Sequence, residues 1–490
     1  MAVDELNKSR SGIQLTEADK AIGRRNFLKA AAALPAVGAF AYSSAQAGPL
    51  KVGVIGTGME GRILVSAMNP KYTYIVAMCD IRPDNQVFGK WTIGQAGHAV
   101  GDALRVYTDY RDICRDPEVE AVVIATPLHT HAPIAIEAMK NGKHVMTEKT
   151  MAYTVDECLE MIKVSKENNV NLQVGHMRFY NPLYWDAFRM MKDGLLGNVY
   201  HVRAMWHRNT DWNYWAHIEK KSYFDMINDK AQFDPTKYGY KDLMHMVNWR
   251  WYKETSHGLW TELCSHQIAI TNWLFGDESG DVLPTSVMAS GGKYKTWEDF
   301  ENFNLYERNW PDEDEQEWRR NYDKKDENNR SISDHVYAIF EYPENRTVTY
   351  SAVQSNSLDN CYEQIMGTYA TIILANENEY YLFWEPGWDE NKAKMAAEGV
   401  KATQTEVSQE DKTGSAFQAH VSAKATGGGG ASDMAPTEPY KWELMGFADT
   451  IKRGAPNLCD GKRAMMAAQA VYAAQEALQT QKKVEIKPVI

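Results

Sequence analysis

The chain has 490 residues, of which 44% are hydrophobic and 24% charged, and its formal net charge is −12. This composition is typical of a globular protein with enough apolar residues for a sizeable core. The excess of acidic side chains argues against nucleic acid and anionic lipid as partners, because both carry negative charge.

The first 47 residues resemble a twin-arginine export leader. Arg24 and Arg25 precede an uncharged stretch, residues 30–42, and a small-x-small cleavage pattern at residues 45–47. The stretch is too short for a permanent transmembrane helix. An amphipathic surface helix is the alternative interpretation. We expect residues 1–47 to be removed and the mature protein to be periplasmic or secreted, without a membrane anchor and with its cofactor loaded before export.

A glycine-rich loop opens the first predicted domain. The apolar run at 52–55 predicts a buried strand, and the loop follows it directly. In dinucleotide-binding domains such glycines allow a tight turn, close approach of the pyrophosphate and close packing of the next helix. A glycine turn without a ligand is the alternative. We predict that NAD or NADP contacts Gly56, Thr57, Gly58, Met59 and Gly61.

An acidic residue stands where a dinucleotide site needs one. The apolar run at 74–79 ends at Asp80, about twenty residues past the loop, where a carboxylate bonds the ribose hydroxyls of NAD. Arg82 is close enough in sequence to accept the 2′-phosphate of NADP. The choice between NAD and NADP therefore stays open.

Further apolar runs predict a doubly wound parallel sheet over residues 48–175. Strands are expected at 119–126, 143–148 and 170–175, with a helix at 132–141. Ligands of such sheets bind beyond the carboxyl ends of the strands. The residues predicted to contact the cofactor there are Thr126, Pro127, His131, Glu148 and Lys149.

Several motifs in this order resemble the Gfo/Idh/MocA oxidoreductase family, which includes glucose-fructose oxidoreductase and inositol dehydrogenase. They are the Thr-Pro-x-x-x-His run ending at His131, Glu148-Lys149, the run at 175–182 and the segment at 257–266. The resemblance covers essentially the whole mature chain. It implies an α+β second domain, residues 176–490, with an open, mostly antiparallel sheet and a terminal helix at 442–479. It also implies a homodimer or homotetramer.

The resemblance implies three catalytic residues. Lys149 would lie between nicotinamide and substrate, where an ammonium can bond the reacting hydroxyl. His266 matches the catalytic histidine, which takes the hydroxyl proton. Glu262 lies four residues before His266, on the same face of a helix, and could reach the substrate or orient the His266 ring.

The chain departs from the family pattern at several of these positions. Thr150 replaces a proline, Glu262 an aspartate, Cys264 a glycine and Ala269 a frequent acid. Because small displacements in an active site have large effects on catalysis, the substrate and the reaction type stay open.

An aromatic segment, residues 206–252, is dense in Trp, Tyr, His and Arg. Indole rings with interleaved donors suit the C–H face and hydroxyl rim of a carbohydrate. Aromatic packing and a subunit interface are the alternatives. The predicted substrate contacts are Arg178, Trp249, Arg250 and Tyr252.

The remaining features are structural. Six scattered cysteines show neither a C-x-x-C pair nor zinc spacing, so we expect buried thiols and no metal site. Residues 309–330 and 404–438 are polar or glycine-rich and are expected to be surface loops, with a functional lid as the alternative.

Three functions fit these observations. The first is an exported NAD(P)-dependent oxidoreductase that acts on a secondary hydroxyl of a sugar or cyclitol. The second is a glycosidase that oxidises C3 transiently, eliminates the aglycone and returns the hydride. The third is a carbohydrate-binding protein without turnover.

Overall fold

Parallel strands form the N-terminal part of the molecule. The computed structural model describes residues 48–208, 227, 229, 233–277, 280–294, 331–377, 379–385 and 438–489. The first six strands are β1 (Leu50–Ile55), β2 (Thr73–Cys79), β3 (Arg105–Tyr107), β4 (Ala121–Ile124), β5 (His144–Thr147) and β6 (Leu172–Val174). They pair in parallel in the order β3–β2–β1–β4–β5–β6. The predicted doubly wound sheet is therefore confirmed.

Helices cover both faces of this sheet, which explains its continuous apolar strands. Val52 and Val54 of β1 belong to one core and Ile55 to the other, because successive strand residues point to opposite faces. The helices of this part are α1 (Met59–Ala67), α2 (Pro83–Gln95), α3 (Tyr110–Arg115), α4 (His131–Lys140) and α5 (Val155–Glu167).

A second, mixed sheet follows. Its strands are β7 (Val199–His207), β8 (Ser286–Gly292), β9 (His335–Tyr342), β10 (Arg346–Val353), β11 (Cys361–Gly367), β12 (Ala370–Ala375), β13 (Glu379–Trp384) and β14 (Val484–Glu485). Their order is β13–β12–β11–β7–β10–β9–β8–β14. The β7–β10 pair is parallel and the other described pairs are antiparallel. The mostly antiparallel α+β domain is confirmed.

Three further helices belong to this second part: α6 (Pro182–Lys192), α7 (Leu243–Val247) and α8 (Leu259–Phe275). Helix α8 lies on one face of the second sheet, where Trp260, Cys264 and Ile268 share a core with Phe340 of β9. The alternating burial of β9 leaves Tyr337 and Ile339 exposed on the opposite face.

The prediction of one terminal helix at 442–479 is wrong. The segment forms two helices, α9 (Glu438–Arg453) and α10 (Gly461–Thr480). Gly454 adopts φ +70° directly after α9, and Pro456 follows, so the helix cannot continue. Helix α9 packs on the first sheet's core through Leu444 and Phe447. The end of the chain thus returns to the first domain, and the described residues from Leu50 onward form one compact unit.

All six cysteines are buried and unpaired, as predicted. No helix in the described part of the chain is long and apolar enough to cross a membrane. The predicted leader at 1–47 and the predicted loop at 309–330 lie outside the described residues. The same holds for the predicted loop at 404–438 except its last residue, which begins α9.

Candidate active site

The glycine-rich loop connects β1 to α1 at the carboxyl edge of the first sheet. Gly56 has φ +90°, and a Cβ atom there would collide with the carbonyl group of Ala125. A Cβ atom on Gly61 would collide with the carbonyl oxygen of Gly56. Both positions therefore need glycine, one for the turn and one for close packing of the helix.

The start of α1 suits a pyrophosphate. Gly58 is its N-cap and supplies no side-chain hydrogen bond to the first turn. A Cβ atom on Gly58 would meet only the Asn85 side chain, at 3.8 Å, so the loop is open on this side. The N–H groups of the first turn, beginning at Met59, are thus available to an anion in the cleft.

Asp80 is held in place at the end of β2. Its Oδ2 accepts hydrogen bonds from the N–H of Thr57 at 2.7 Å and from Asn85 Nδ2 at 3.2 Å. Its Oδ1 accepts from the N–H of Arg82 at 2.9 Å. Burial raises the pKa of Asp80, and the N–H groups of Arg82 and Thr57 oppose this rise. Oδ1 accepts one described bond and can still accept a ribose hydroxyl.

Arg82 is engaged by an acidic neighbour. Its Nε donates to Asp84 Oδ1 at 3.0 Å, and its Nη2 donates to Asp84 Oδ2. Burial alone would lower the pKa of Arg82, but the Asp84 carboxylate raises it. The guanidinium fork that would bind a 2′-phosphate is therefore already occupied.

One cleft of about 690 Å³ runs along the carboxyl edge of the sheet. Asp80 follows β2 and Glu148 follows β5, and these strands lie on opposite sides of β1. The cleft therefore extends from one side of the glycine loop to the other. The predicted residues that line it are Gly56, Gly58, Met59, Asp80, Arg82, Thr126, Pro127, His131, Glu148, Lys149, Trp249, Arg250 and Glu262.

An ion pair lines the same cleft as Lys149. Glu262 is 3% exposed, and its Oε2 accepts from Arg250 Nε at 2.9 Å. Its Oε1 accepts a long bond, 3.5 Å, from the hydroxyl of Ser256. The Arg250 guanidinium lies 4.2 Å above the Trp249 ring. The Lys149 amine, a fixed carboxylate and an aromatic ring thus line the same space.

Glu148 precedes Lys149 and is fully buried at the end of β5. Its Oε2 accepts from the N–H of Lys149 at 3.2 Å, whereas its Oε1 has no hydrogen-bond partner among the described residues. Burial raises the pKa of Glu148 to about 8, and Glu60 adds to the rise while Lys149 opposes it. This carboxyl group is therefore mostly protonated at neutral pH.

His266, the predicted catalytic histidine, is buried behind the residues that line the cleft. It is 3% exposed and does not line the cleft. Its ring is perpendicular to that of His176, with the centroids 5.5 Å apart, and it is also 5.5 Å from the Trp206 ring. Burial, and then Lys149 and Arg178, lower the pKa of His266 well below its usual value. The imidazole is neutral, and Glu262, which bonds Arg250 and Ser256, does not orient it.

Two predicted substrate contacts need correction. Arg178 is fully buried, and its guanidinium donates to Glu377, Glu363 and the Cys361 sulfur. Burial alone would lower its pKa, but Glu363 and the neighbouring Tyr184 and Glu377 raise it well above the usual value. Arg178 is therefore a structural ion-pair centre that contacts no part of the cleft.

Tyr252 is also buried away from the cleft, and its ring packs on His245 with the centroids 4.5 Å apart. Two predicted cofactor contacts, Thr57 and Gly61, are not among the residues that line the cleft: the N–H of Thr57 donates to Asp80, and Gly61 packs against the carbonyl oxygen of Gly56. The aromatic residues at 209–226 lie outside the described part of the chain.

Sequence reasoning missed several residues of the cleft. Asn85 bonds Asp80, and Asp84 engages Arg82; no motif marks either position. The second domain adds side chains that only folding brings to the first sheet: Lys237, Tyr238, Tyr240, Met246 and Val247.

Comparison with known proteins agrees with this geometry. Residues 50–176 match the family model described as "Oxidoreductase family, NAD-binding Rossmann fold", and residues 223–486 match "Oxidoreductase family, C-terminal alpha/beta domain". The glycine loop, the open start of α1 and Asp80 fit the dinucleotide that the first model describes. Residues 50–176 are therefore an NAD-binding domain.

Individual relatives include enzymes of two kinds. An inositol 2-dehydrogenase/D-chiro-inositol 3-dehydrogenase of Lactiplantibacillus plantarum is 34% identical over 31% of this chain and 43% of its own length. An alpha-N-acetylgalactosaminidase of Bacteroides fragilis is 24% identical over 38% of this chain and 44% of its own. The chain spans less than half the length of the curated relatives it matches.

The fold is also that of solved structures. Levoglucosan dehydrogenase, in complex with NADH and levoglucosan, superposes with a TM-score of 0.59 over 90% of this chain and 100% of its own. The sequence identity is 18%, so this similarity concerns the fold alone.

Proposed function

Because this chain belongs to the Gfo/Idh/MocA family of oxidoreductases, we propose that it is an NAD-dependent enzyme oxidising a secondary hydroxyl of a sugar or cyclitol. The observation that carries the proposal is the single cleft joining the glycine loop to Lys149 and to the Glu262–Arg250 pair. When bound, NAD supplies the carbon that accepts hydride from the substrate.

The residues of this chain would accept the substrate proton and hold the substrate in place. Oxidation of a hydroxyl releases its proton. Lys149 lines the cleft, where its amine in the neutral form would accept a hydrogen bond from the reacting hydroxyl and then take that proton to become an ammonium. The Glu262 carboxylate, fixed by Arg250, can accept a hydrogen bond from another substrate hydroxyl. The Trp249 ring offers an apolar face to the C–H groups of a sugar. His266 is neutral behind this layer and supports the site from there.

A glycosidase is the second candidate, because the Bacteroides fragilis relative is a glycosidase by name. In such a reaction the two electrons removed from C3 return to the sugar after the aglycone has left and water has added. The cycle consumes no external oxidant, which suits a protein that works outside the cytoplasm.

Product analysis separates the candidates. Protein purified without added cofactor is denatured and assayed for NAD by absorbance and mass, and the native protein is incubated with p-nitrophenyl glycosides and with free sugars and cyclitols. We expect bound NAD and net oxidation of a free sugar or cyclitol, with a second carbonyl substrate as reoxidant. Aglycone release without net oxidation would replace the dehydrogenase with the glycosidase. Absence of both NAD and turnover would favour a carbohydrate-binding protein.

The Arg82–Asp84 pair leads to a prediction about cofactor choice. Asp84→Asn removes a negative charge and releases the Arg82 fork, so we expect the ratio of the affinity of the cofactor-free protein for NADP to its affinity for NAD to rise about tenfold. The exposed Asp102→Asn is the matched control and should leave the ratio unchanged. An unchanged ratio in Asp84→Asn, with the thermal midpoint of the wild type, would contradict this role of Asp84.

We also propose that the protein is exported through the twin-arginine pathway and retains its cofactor, as Arg24, Arg25 and the pattern at 45–47 suggest. Replacing both arginines with lysine should leave the uncleaved precursor in the cytoplasm, as seen by immunoblots of fractionated cells. Arg10→Lys is the control. Normal processing of the double variant would contradict the proposal.

A homodimer or homotetramer is proposed as the assembly. The exposed side chains of Met288, Tyr337 and Ile339 are neighbours on the outer face of β8 and β9, which supports a contact there. Sedimentation of the wild type and of Ile339→Lys tests this, with a smaller species expected for the variant.

A further inference from the structure

A segment of the second domain crosses the entrance to the cofactor cleft. Residues 233–255, here named the strap, contain a short turn of helix at Pro235–Tyr238, helix α7 and another turn at Trp249–Trp251. Seven strap residues line the cleft opposite the glycine loop and the strand ends. The cleft therefore has an outer wall that the first domain alone does not supply.

The first anchor of the strap lies at the end of β2. Ile81 of the first domain packs against the apolar cluster of the strap, which includes Phe233, Leu243 and Met246. The Tyr240 ring belongs to the same cluster and is 5% exposed. Burial, and then the nearby Asp80 carboxylate, raise the pKa of the Tyr240 hydroxyl. Tyr240 thus lies beside the carboxylate that is expected to bind ribose.

The second anchor lies at the end of β4. The rings of Tyr240 and His129 are perpendicular, with their centroids 5.6 Å apart. His129 follows the Thr126-Pro127 strand end and does not itself line the cleft. Tyr240 therefore contacts the end of β4 through His129, and the cluster to which it belongs contacts the end of β2 through Ile81.

A third anchor lies beyond β5. The Tyr153 hydroxyl donates to the carbonyl oxygen of Lys253, at the far end of the strap. Just past the strap, the His257 ring stacks on Tyr153 with the centroids 4.4 Å apart. The strap is thus fixed along the whole edge of the sheet, from β2 to beyond β5.

We propose that the strap completes the dinucleotide site by enclosing the adenosine half of the cofactor, and that Tyr240 controls the rate of its release. This inference rests on the proposed NAD-dependent function and deepens it. A dinucleotide lying between Asp80 and the glycine loop leaves only after the Tyr240 contact with His129 and the packing of the strap cluster on Ile81 open. An oxidoreductase with such a site would retain its cofactor between turnovers.

The test measures cofactor release instead of turnover. Holoprotein loaded with NADH is mixed with excess NAD, and the loss of nicotinamide fluorescence gives the dissociation rate. We expect Tyr240→Ala to raise this rate at least about tenfold. Tyr240→Phe keeps the ring contacts and should retain slow release. Tyr200→Ala, on an exposed position of β7, is the matched control and should not change the rate.

A second variant keeps the inference testable if Tyr240→Ala does not fold. His129→Ala removes the other ring of the β4 anchor and should also speed release, without a further increase in the double variant. Release at the wild-type rate in both single variants would overturn the role of the strap. If the wild type holds NAD and oxidises sugars, but substitution of Tyr240 or His129 leaves the rate of cofactor release unchanged, this inference is refuted and the proposed function is intact. A wild type that binds no dinucleotide would overturn both.

Discussion

Lys149→Ala is expected to lower kcat by about 10²–10⁴-fold while the protein still binds NAD. Lys149 lines the cleft after β5, on the side of β1 opposite Asp80 and Arg82. Its loss removes the amine that receives the hydroxyl proton, but it leaves the glycine loop and Asp80 intact. Turnover on the best sugar or cyclitol and NAD content after denaturation are measured together.

Lys140→Ala is the matched control for this variant, because Lys140 is an exposed residue at the end of α4, in the same domain. It should retain wild-type turnover and NAD. Near-wild-type activity of Lys149→Ala would refute the proton-transfer role. Loss of NAD together with activity would show that Lys149 binds the cofactor instead.

Glu148→Gln is expected to make the cofactor-free protein more stable than the wild type, increasingly so as the pH rises from 5 to 8. The folded protein holds the Glu148 proton up to a pKa of about 8, whereas an unfolded chain releases it near the ordinary value of 4.5. Between these values unfolding releases a proton, so wild-type stability falls by about 1.4 kcal/mol per pH unit. The sum over the window is on the order of 5 kcal/mol.

The groups that face Glu148 determine how far its pKa is raised, and therefore how strongly stability depends on pH. Burial raises its pKa most, Glu60 and Glu262 raise it further, and Lys149 lowers it. Glu443 of α9 is buried nearby, and burial and Glu148 raise the pKa of its carboxyl as well. The stability of Glu148→Gln therefore still falls as the pH rises, because Glu443 also loses a proton on unfolding, but it falls less than the stability of the wild type.

Urea unfolding of the apoprotein at pH 5, 6.5 and 8 tests this prediction. The exposed Glu167→Gln serves as the control and should follow the wild type at each pH. Parallel stability curves for the wild type and Glu148→Gln would show that Glu148 ionises normally in the folded protein.

Local patterns predicted the first domain well. The glycine positions 56, 58 and 61, the acid at Asp80 and the strand ends at 126 and 148 follow from backbone geometry and from the position of the carboxyl edge. These features depend on neighbours within a few residues or on one βαβ unit, so a single sequence contains the information. The single terminal helix, which the family resemblance implied, was predicted wrongly, because the resemblance does not take account of the break at Gly454 and Pro456.

By itself, the sequence determined the sheet class, the dinucleotide loop and the placement of Lys149 at a strand end. Only the tertiary structure decided which polar side chains face the cleft. The Arg178 side chain donates to Glu363 and Glu377, which lie 185 and 199 residues further along the chain. It is therefore not available to the substrate site. Tyr240 is brought onto His129 from another domain. A buried charge is stable only beside an opposite charge, and an apolar strap only when it packs on other apolar residues. Both requirements are met by contacts between residues far apart in the sequence, which no local pattern encodes.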